Sequence, residues 1–115
     1  MPKRDSRLYF QDIFDAIKNI KKYTRGYNYK DFLSDAKTAD AVVRNLEIIG
    51  EAANRISSDL RVRHSGIPWE KMVSIRNKVI HEYAGVDLQI LWQTISEDLP
   101  DLEKRIGKIL SLKKR

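Results

Sequence analysis

Apolar side chains return at every third or fourth position through four stretches of the chain, and no stretch alternates at period two for long enough to make a strand. A helix gathers such positions on one face, and that face must be covered by another element, so the periodicity points to helices packed on helices. The first stretch runs from Leu8 to about Tyr23 through Phe10, Ile13, Phe14, Ile17 and Ile20, with Asp5 or Ser6 as cap and Gly26 as stop. The second, TADAVVRNLEIIGEAANRIS, carries Val42, Leu46, Ile49, Ala53 and Ile56. The third opens at Pro68, which a first helical turn accepts because it needs no N–H there, and runs to about Ala84 before Gly85. The fourth is capped by Asp87 and carries Leu88, Leu91, Trp92, Ile95, Leu99, Leu102, Ile106 and Ile109, with Pro100 expected to kink or restart it. YNYKDFLSD is expected to form a turn or small helix, and SSDLRVRHSG a loop. The expected architecture is all-α: an up-and-down four-helix bundle with an extra short helix and a kinked last helix.

A chain of 115 residues that is 42% hydrophobic and free of repeats has room for one core, hence one domain spanning 1–115, with basic, flexible ends at about 1–6 and 112–115. Cysteine is absent, which excludes disulfides, thiolate metal sites and a cysteine nucleophile. No apolar run reaches bilayer length and MPKRDSRLYF lacks the centre of a secretion signal, so a soluble, cytoplasmic protein is expected. The net charge of +6 sits at the ends: Lys3, Arg4 and Arg7 against Asp5 give +2, and six cations against Asp101 and Glu103 in 100–115 give +4. Basic ends can attract an anionic ligand, but they also serve simply as solubilising surface.

Two features of the helices are unusual. Gly50 lies inside the second, where glycine costs roughly 1 kcal/mol against alanine, and therefore marks a place where another backbone comes close. In the third, RNKVIHEY, the helical advance of about 100° per residue puts Trp69, Met72, Val73, Val79, Ile80 and Tyr83 within roughly 60° of Arg76. A guanidinium thus stands at the centre of the apolar arc, with Asn77 and His81 on its edge.

Taken singly these residues have ordinary roles: Arg76 in a core ion pair with Glu47 or Glu51, His81 at a helix edge, Tyr83 in the core. Together they suggest a phosphodiester site. An arginine fork pairs with phosphate oxygens, and a histidine, ordinarily titrating near neutrality, can take one proton and return another. RNA supplies its own nucleophile, the 2′-hydroxyl. The carboxylates look engaged elsewhere, Arg44 with Glu47 and Glu51 with Arg55 at ion-pair spacings and Glu97, Asp98, Asp101 and Glu103 as solvated surface, so neither a catalytic metal nor another cofactor is expected. His64, in a polar stretch, is expected to play no part. Arg76 and His81 point about 140° apart, which favours a homodimer whose two-fold axis brings complementary groups together, with Ile48 a candidate contact.

The segments RNLEIIGEAANRIS, IPWEKMVSIRNKVIHEY and VDLQILWQTISEDLP resemble the HepT-like toxins of the HEPN superfamily, with Arg76, Asn77, His81 and Tyr83 on the family's arginine, polar, histidine and tyrosine positions. The resemblance implies a HEPN-like fold and an α-helical, homodimeric endoribonuclease acting on an RNA substrate. Arg76 would bind the scissile phosphate, His81 would act as general acid or base, and Asn77 would orient one of them. It also implies a partner, an MntA-type nucleotidyltransferase antitoxin that places AMP on Tyr83. A non-catalytic helical partner of such a nucleotidyltransferase is the alternative.

Overall fold

A computed structural model of the chain describes residues 5–81 and 87–113, with side chains described throughout these except at 78–81 and 112–113. Every element in it is helical: α1 Ser6–Tyr23, α2 Tyr29–Leu33, α3 Ala36–Arg55, α4 Ser58–Arg63, α5 Trp69–His81, α6 Leu88–Gln93 and α7 Leu99–Lys113, with a π-helical segment Thr94–Asp98 joining the last two. The long helices α1, α3, α5 and the α6–α7 unit form the all-α bundle, and two short helices are added to it. Helix thus reaches Ser6 at one end and Lys113 at the other, inside the segments expected to be flexible.

The apolar stripes become the core. Phe10, Ile13, Ile17 and Ile20 of α1, Val42, Leu46, Ile49, Ala53 and Ile56 of α3 and its C-cap, and Leu102, Ile106 and Ile109 of α7 are all buried. Each large side chain removed from water in this way contributes roughly 1.5–3 kcal/mol before chain entropy is counted. Helices α1 and α7 run antiparallel, because Lys21 pairs with Glu103 at 2.8 Å while Phe14 lies beside Gly107. One polar group enters this core: Asn45 accepts from Asn19 Nδ2 at 3.2 Å and donates to the Ala41 carbonyl at 2.9 Å, so its burial leaves no amide unpaired.

The caps follow the sequence. Asp5 accepts from the Arg7 amide, Asp87 accepts from the Gln89 amide, and Gly26 beyond α1 takes a φ of 78°. Pro68 sits one residue ahead of α5 rather than within it, its carbonyl accepting from the Met72 amide at 3.1 Å. Asp35 caps α3 and carries more: it accepts from the Tyr27 hydroxyl at 2.6 Å, the Thr38 hydroxyl at 2.7 Å and the Thr38 amide at 3.0 Å. The Tyr27 bond first, then the two from Thr38, hold its carboxyl down at about 2.

SSDLRVRHSG is not a plain loop. Ser57 accepts from the Leu60 amide and starts α4, and Arg61 of that helix reaches back to donate to the Ala53 carbonyl at 2.8 Å and the Ile56 carbonyl at 3.1 Å. It thereby gives the Ile56 carbonyl a donor and adds a second one to the Ala53 carbonyl, which also accepts from the Ile56 amide at 3.2 Å. Pro100 does interrupt the last helix: its missing N–H and its ring oppose the α ladder, and the turn ahead of it widens to π geometry, with the Leu99 amide bonding to the Thr94 carbonyl.

Candidate functional site

Helix α5 is set on the bundle from its first residue. The Trp69 indole donates to the His64 carbonyl at 3.1 Å and packs edge-on against Phe10, with ring centroids 6.0 Å apart. Trp69 and Met72 are buried, and Val73 and Ile75 pack partly buried beside them. One turn further, α5 crosses α3 at Gly50. A β-carbon added there would overlap Arg76 Cβ, and would lie 2.8 Å from Arg76 Cγ and 2.9 Å from the Met72 carbonyl oxygen. The close backbone approach expected at Gly50 is therefore present, and the residue that fills it is Arg76.

Arg76 lays its alkyl stem across α3 and is half-buried. Its Nη1 donates to Asn77 Oδ1 at 3.1 Å, so the two polar residues that open the motif are in contact. Its Nε is buried and has no hydrogen-bond partner among the described residues. The ordinary alternatives are not formed either: Glu47 pairs with Arg44 at 3.2 Å, and Glu51 faces a cleft of about 270 Å³ together with Tyr9, Asp12 and Ile48. Buried donors are nearly always paired in folded chains, so an arginine seated in this way retains hydrogen-bonding capacity for something else.

The backbone of His81 closes α5, while its side chain and the whole of Tyr83 lie outside the described residues, as do Ala84 and Gly85. The structure thus brings Arg76 and Asn77 together and leaves the geometry of the other two motif residues open. Ile48 is partly buried on the edge of the same cleft as Glu51, on which Arg55 also opens. Glu51 and Arg55 form no ion pair, since an exposed pair one turn apart gains only a few tenths of a kcal/mol against the entropy of two long side chains. The acidic cluster is spread out by its partners: Asp98 pairs with Lys71, Asp101 with Arg105 and Glu103 with Lys21, each at 2.8 Å. Among the described residues, no three histidine, aspartate or glutamate side chains converge as a metal site would need. The His64 ring lies edge-on to Phe10, with centroids 5.8 Å apart.

Residues 13–109 match the family model described as ribonuclease HepT-like. The chain is 46% identical over 107 residues to a protein of Thermococcus cleftensis named "Probable ribonuclease HepT", covering 93% of this chain and 97% of that one. It is 38% identical to "Putative RNase TTE0752" of Caldanaerobacter subterraneus subsp. tengcongensis, over 94% and 96% of the two chains. To "Putative RNase MJ1380" of Methanocaldococcus jannaschii it is 37% identical, over 92% and 97%. No solved structure matches the chain. A match across nearly the whole bundle, running through the helix that carries Arg76 and Asn77, means that the chain belongs to the HepT-like ribonuclease family.

Proposed function

We propose that the chain is an endoribonuclease that cleaves RNA without a metal ion, at a cleft shared by the two copies of a homodimer. The carrying observation is Arg76: a guanidinium on the apolar face of α5, its stem fixed by Gly50, its Nε buried without a partner among the described residues, and no carboxylate there neutralising it. The planar fork of such a group can pair with two oxygens of a phosphodiester and complement their charge.

In the reaction the 2′-oxygen forms a bond to the adjacent phosphorus while the bond from phosphorus to the 5′-oxygen breaks, leaving a 2′,3′-cyclic phosphate and a 5′-hydroxyl. One proton leaves the 2′-hydroxyl and one is delivered to the 5′-oxygen, and His81 handles one of these transfers. Arg76 binds the phosphate and stabilises the charge that builds on its oxygens, and Asn77 orients the guanidinium through their hydrogen bond. Because Arg76 and His81 project about 140° apart on one helix, the groups meeting at one phosphorus come from both copies of α5. Tyr83, two residues beyond His81, is the site at which an MntA-type nucleotidyltransferase places AMP, adding bulk and negative charge beside the phosphate site.

The test is cleavage of RNA in the presence of a chelator by the wild-type chain and by His81→Ala and Arg76→Ala. Positioned acid–base catalysis accounts for about 10²–10⁴-fold in rate, so His81→Ala should lose that much while its melting curve persists. Full cleavage by either variant, or dependence of the wild type on a divalent ion, refutes the assignment. Stable binding of a nucleotidyltransferase with no RNA turnover by the dimer would instead make the chain a non-catalytic partner.

A further inference from the structure

A sizeable cleft lies away from Arg76, where the loop between α4 and α5 faces α7. It has a volume of about 550 Å³, a size that accommodates a nucleotide unit. Lys104, Arg105 and Lys108 line one wall, and His64 and Ile67 line the other. Lys104 and Lys108 are one helical turn apart, which sets their Cβ atoms roughly 5–6 Å from each other. Asp101 at the rim is already paired with Arg105 at 2.8 Å, and Glu103 with Lys21, so among the described residues neither lysine has a carboxylate partner. The wall therefore carries three positive charges against one negative.

The loop is shaped to admit the guanidinium. A β-carbon on Gly66 would fall 2.6 Å from Arg105 Nη1, so glycine at this position lets the arginine lie against the loop backbone while Asp101 holds its Nε. One cation of the cleft is thereby held by Asp101 beside the loop, and two exposed ones flank it on α7. Ile67 and Ile109 give the cleft an apolar floor, on which a base can rest while phosphates meet the lysines.

From this geometry we infer that the α7 cleft is a second RNA-binding site, which takes the phosphodiester backbone of a single strand at a distance from the bond that is cut. This rests on the reading of the chain as a ribonuclease, since RNA is then the polyanion it meets in every turnover. The cleft holds the strand and performs no chemistry.

The experiment measures binding of a fully 2′-O-methylated RNA, which cannot be cut, across a salt series, together with KM and kcat on the unmodified RNA. Three full-length proteins are compared: wild type, Lys104→Gln with Lys108→Gln, and a control with the same charge loss, Lys22→Gln with Lys30→Gln. Each phosphate contact on a single strand contributes about 0.7 to the slope of log K against log salt, so the cleft variant should lose about 1.4 from that slope. Its KM should rise about ten-fold at low salt with kcat unchanged, and the control should stay close to wild type. Equal losses in both variants would show general charge attraction and overturn the site. So would AMP competing for the cleft while RNA binding is indifferent to the lysines, since the pocket would then serve a free nucleotide. A wild type that binds the methylated RNA through these lysines yet cuts no RNA sinks the catalytic reading and leaves the cleft standing.

Discussion

Gly50→Ala adds a single methyl group at the crossing of α3 and α5, and the structure allows its effect to be worked out. The new carbon would overlap Arg76 Cβ and stand 2.9 Å from the Met72 carbonyl oxygen, against an ordinary carbon contact of about 3.5–4.0 Å. Neither neighbour can swing aside, because one is fixed to the α5 backbone and the other is part of it. The helices must separate, and overpacking of this kind costs about 1–3 kcal/mol. Alanine returns roughly 0.5–1 kcal/mol through its better helix propensity, so a net loss of about 1–2 kcal/mol is expected. At about 4 °C per kcal/mol for a chain of this length, the melting temperature should fall by about 4–8 °C. The functional loss should be larger, since shifting a positioning group by about 1 Å can cost 10²-fold in rate and Arg76 moves with the helix. Melting and RNA cleavage measured on the same preparation would show a modest shift beside a severe loss of kcat. A variant more stable than wild type and fully active would mean that the two helices do not meet at this point, and the account of how Arg76 is held would fall with it.

Arg76→Ala should abolish cleavage yet change stability by no more than about 1 kcal/mol, whereas breaking a buried ion pair would cost about 3–5 kcal/mol; chemical denaturation distinguishes the two. Arg61→Ala removes two charged hydrogen bonds to the end of α3 and should cost about 1–3 kcal/mol, with unchanged melting counting against that capping role. Asp35 has a folded-state pKa depressed from 3.8 to about 2, so it contributes stability that is present above pH 3.8 and is lost as the pH falls from there through about 2. Tyr27→Phe removes the largest cause and should move the Asp35 midpoint, followed by carboxyl NMR, back toward 3.8; a midpoint still at about 2 would refute the hydrogen bond as the cause.

How much of this was legible in the sequence depended on how local each cause is. The stripe in α3 is a matter of spacing along one helix, and all five of its named residues are buried. Asp5 and Asp87 cap because a short carboxylate next to a helix start acts on amides two residues away. Gly50 announced a close approach because glycine is costly in a helix, but not that Arg76 would be what approaches, since that pairing is fixed by how α5 crosses α3. Helix α4 looks like a loop in the sequence: six mostly polar residues show no periodicity, and much of its role lies in Arg61 reaching back to α3. The cleft on α7 is not legible in the sequence, where its lysines are basic charge that can attract an anion or simply solubilise, because its walls lie some forty residues apart in the chain and meet only in the fold. Of the motif itself, the contact between Arg76 and Asn77 is visible, while the His81 side chain and Tyr83 fall outside the described residues.

The π turn at Thr94–Asp98 inserts one extra residue into a helical ladder, and each inserted residue rotates everything after it by roughly 100°. That phase shift lets one nearly continuous rod serve two clients: α6 turns Trp92 toward Phe32 of α2, with ring centroids 5.3 Å apart, while α7 turns Ile106 inward against α1. Deleting a single residue from that turn would make a straighter and more regular helix. It would also swing the second half of the rod out of phase with the bundle, carrying buried isoleucines into water and Lys104 and Lys108 away from the loop they face.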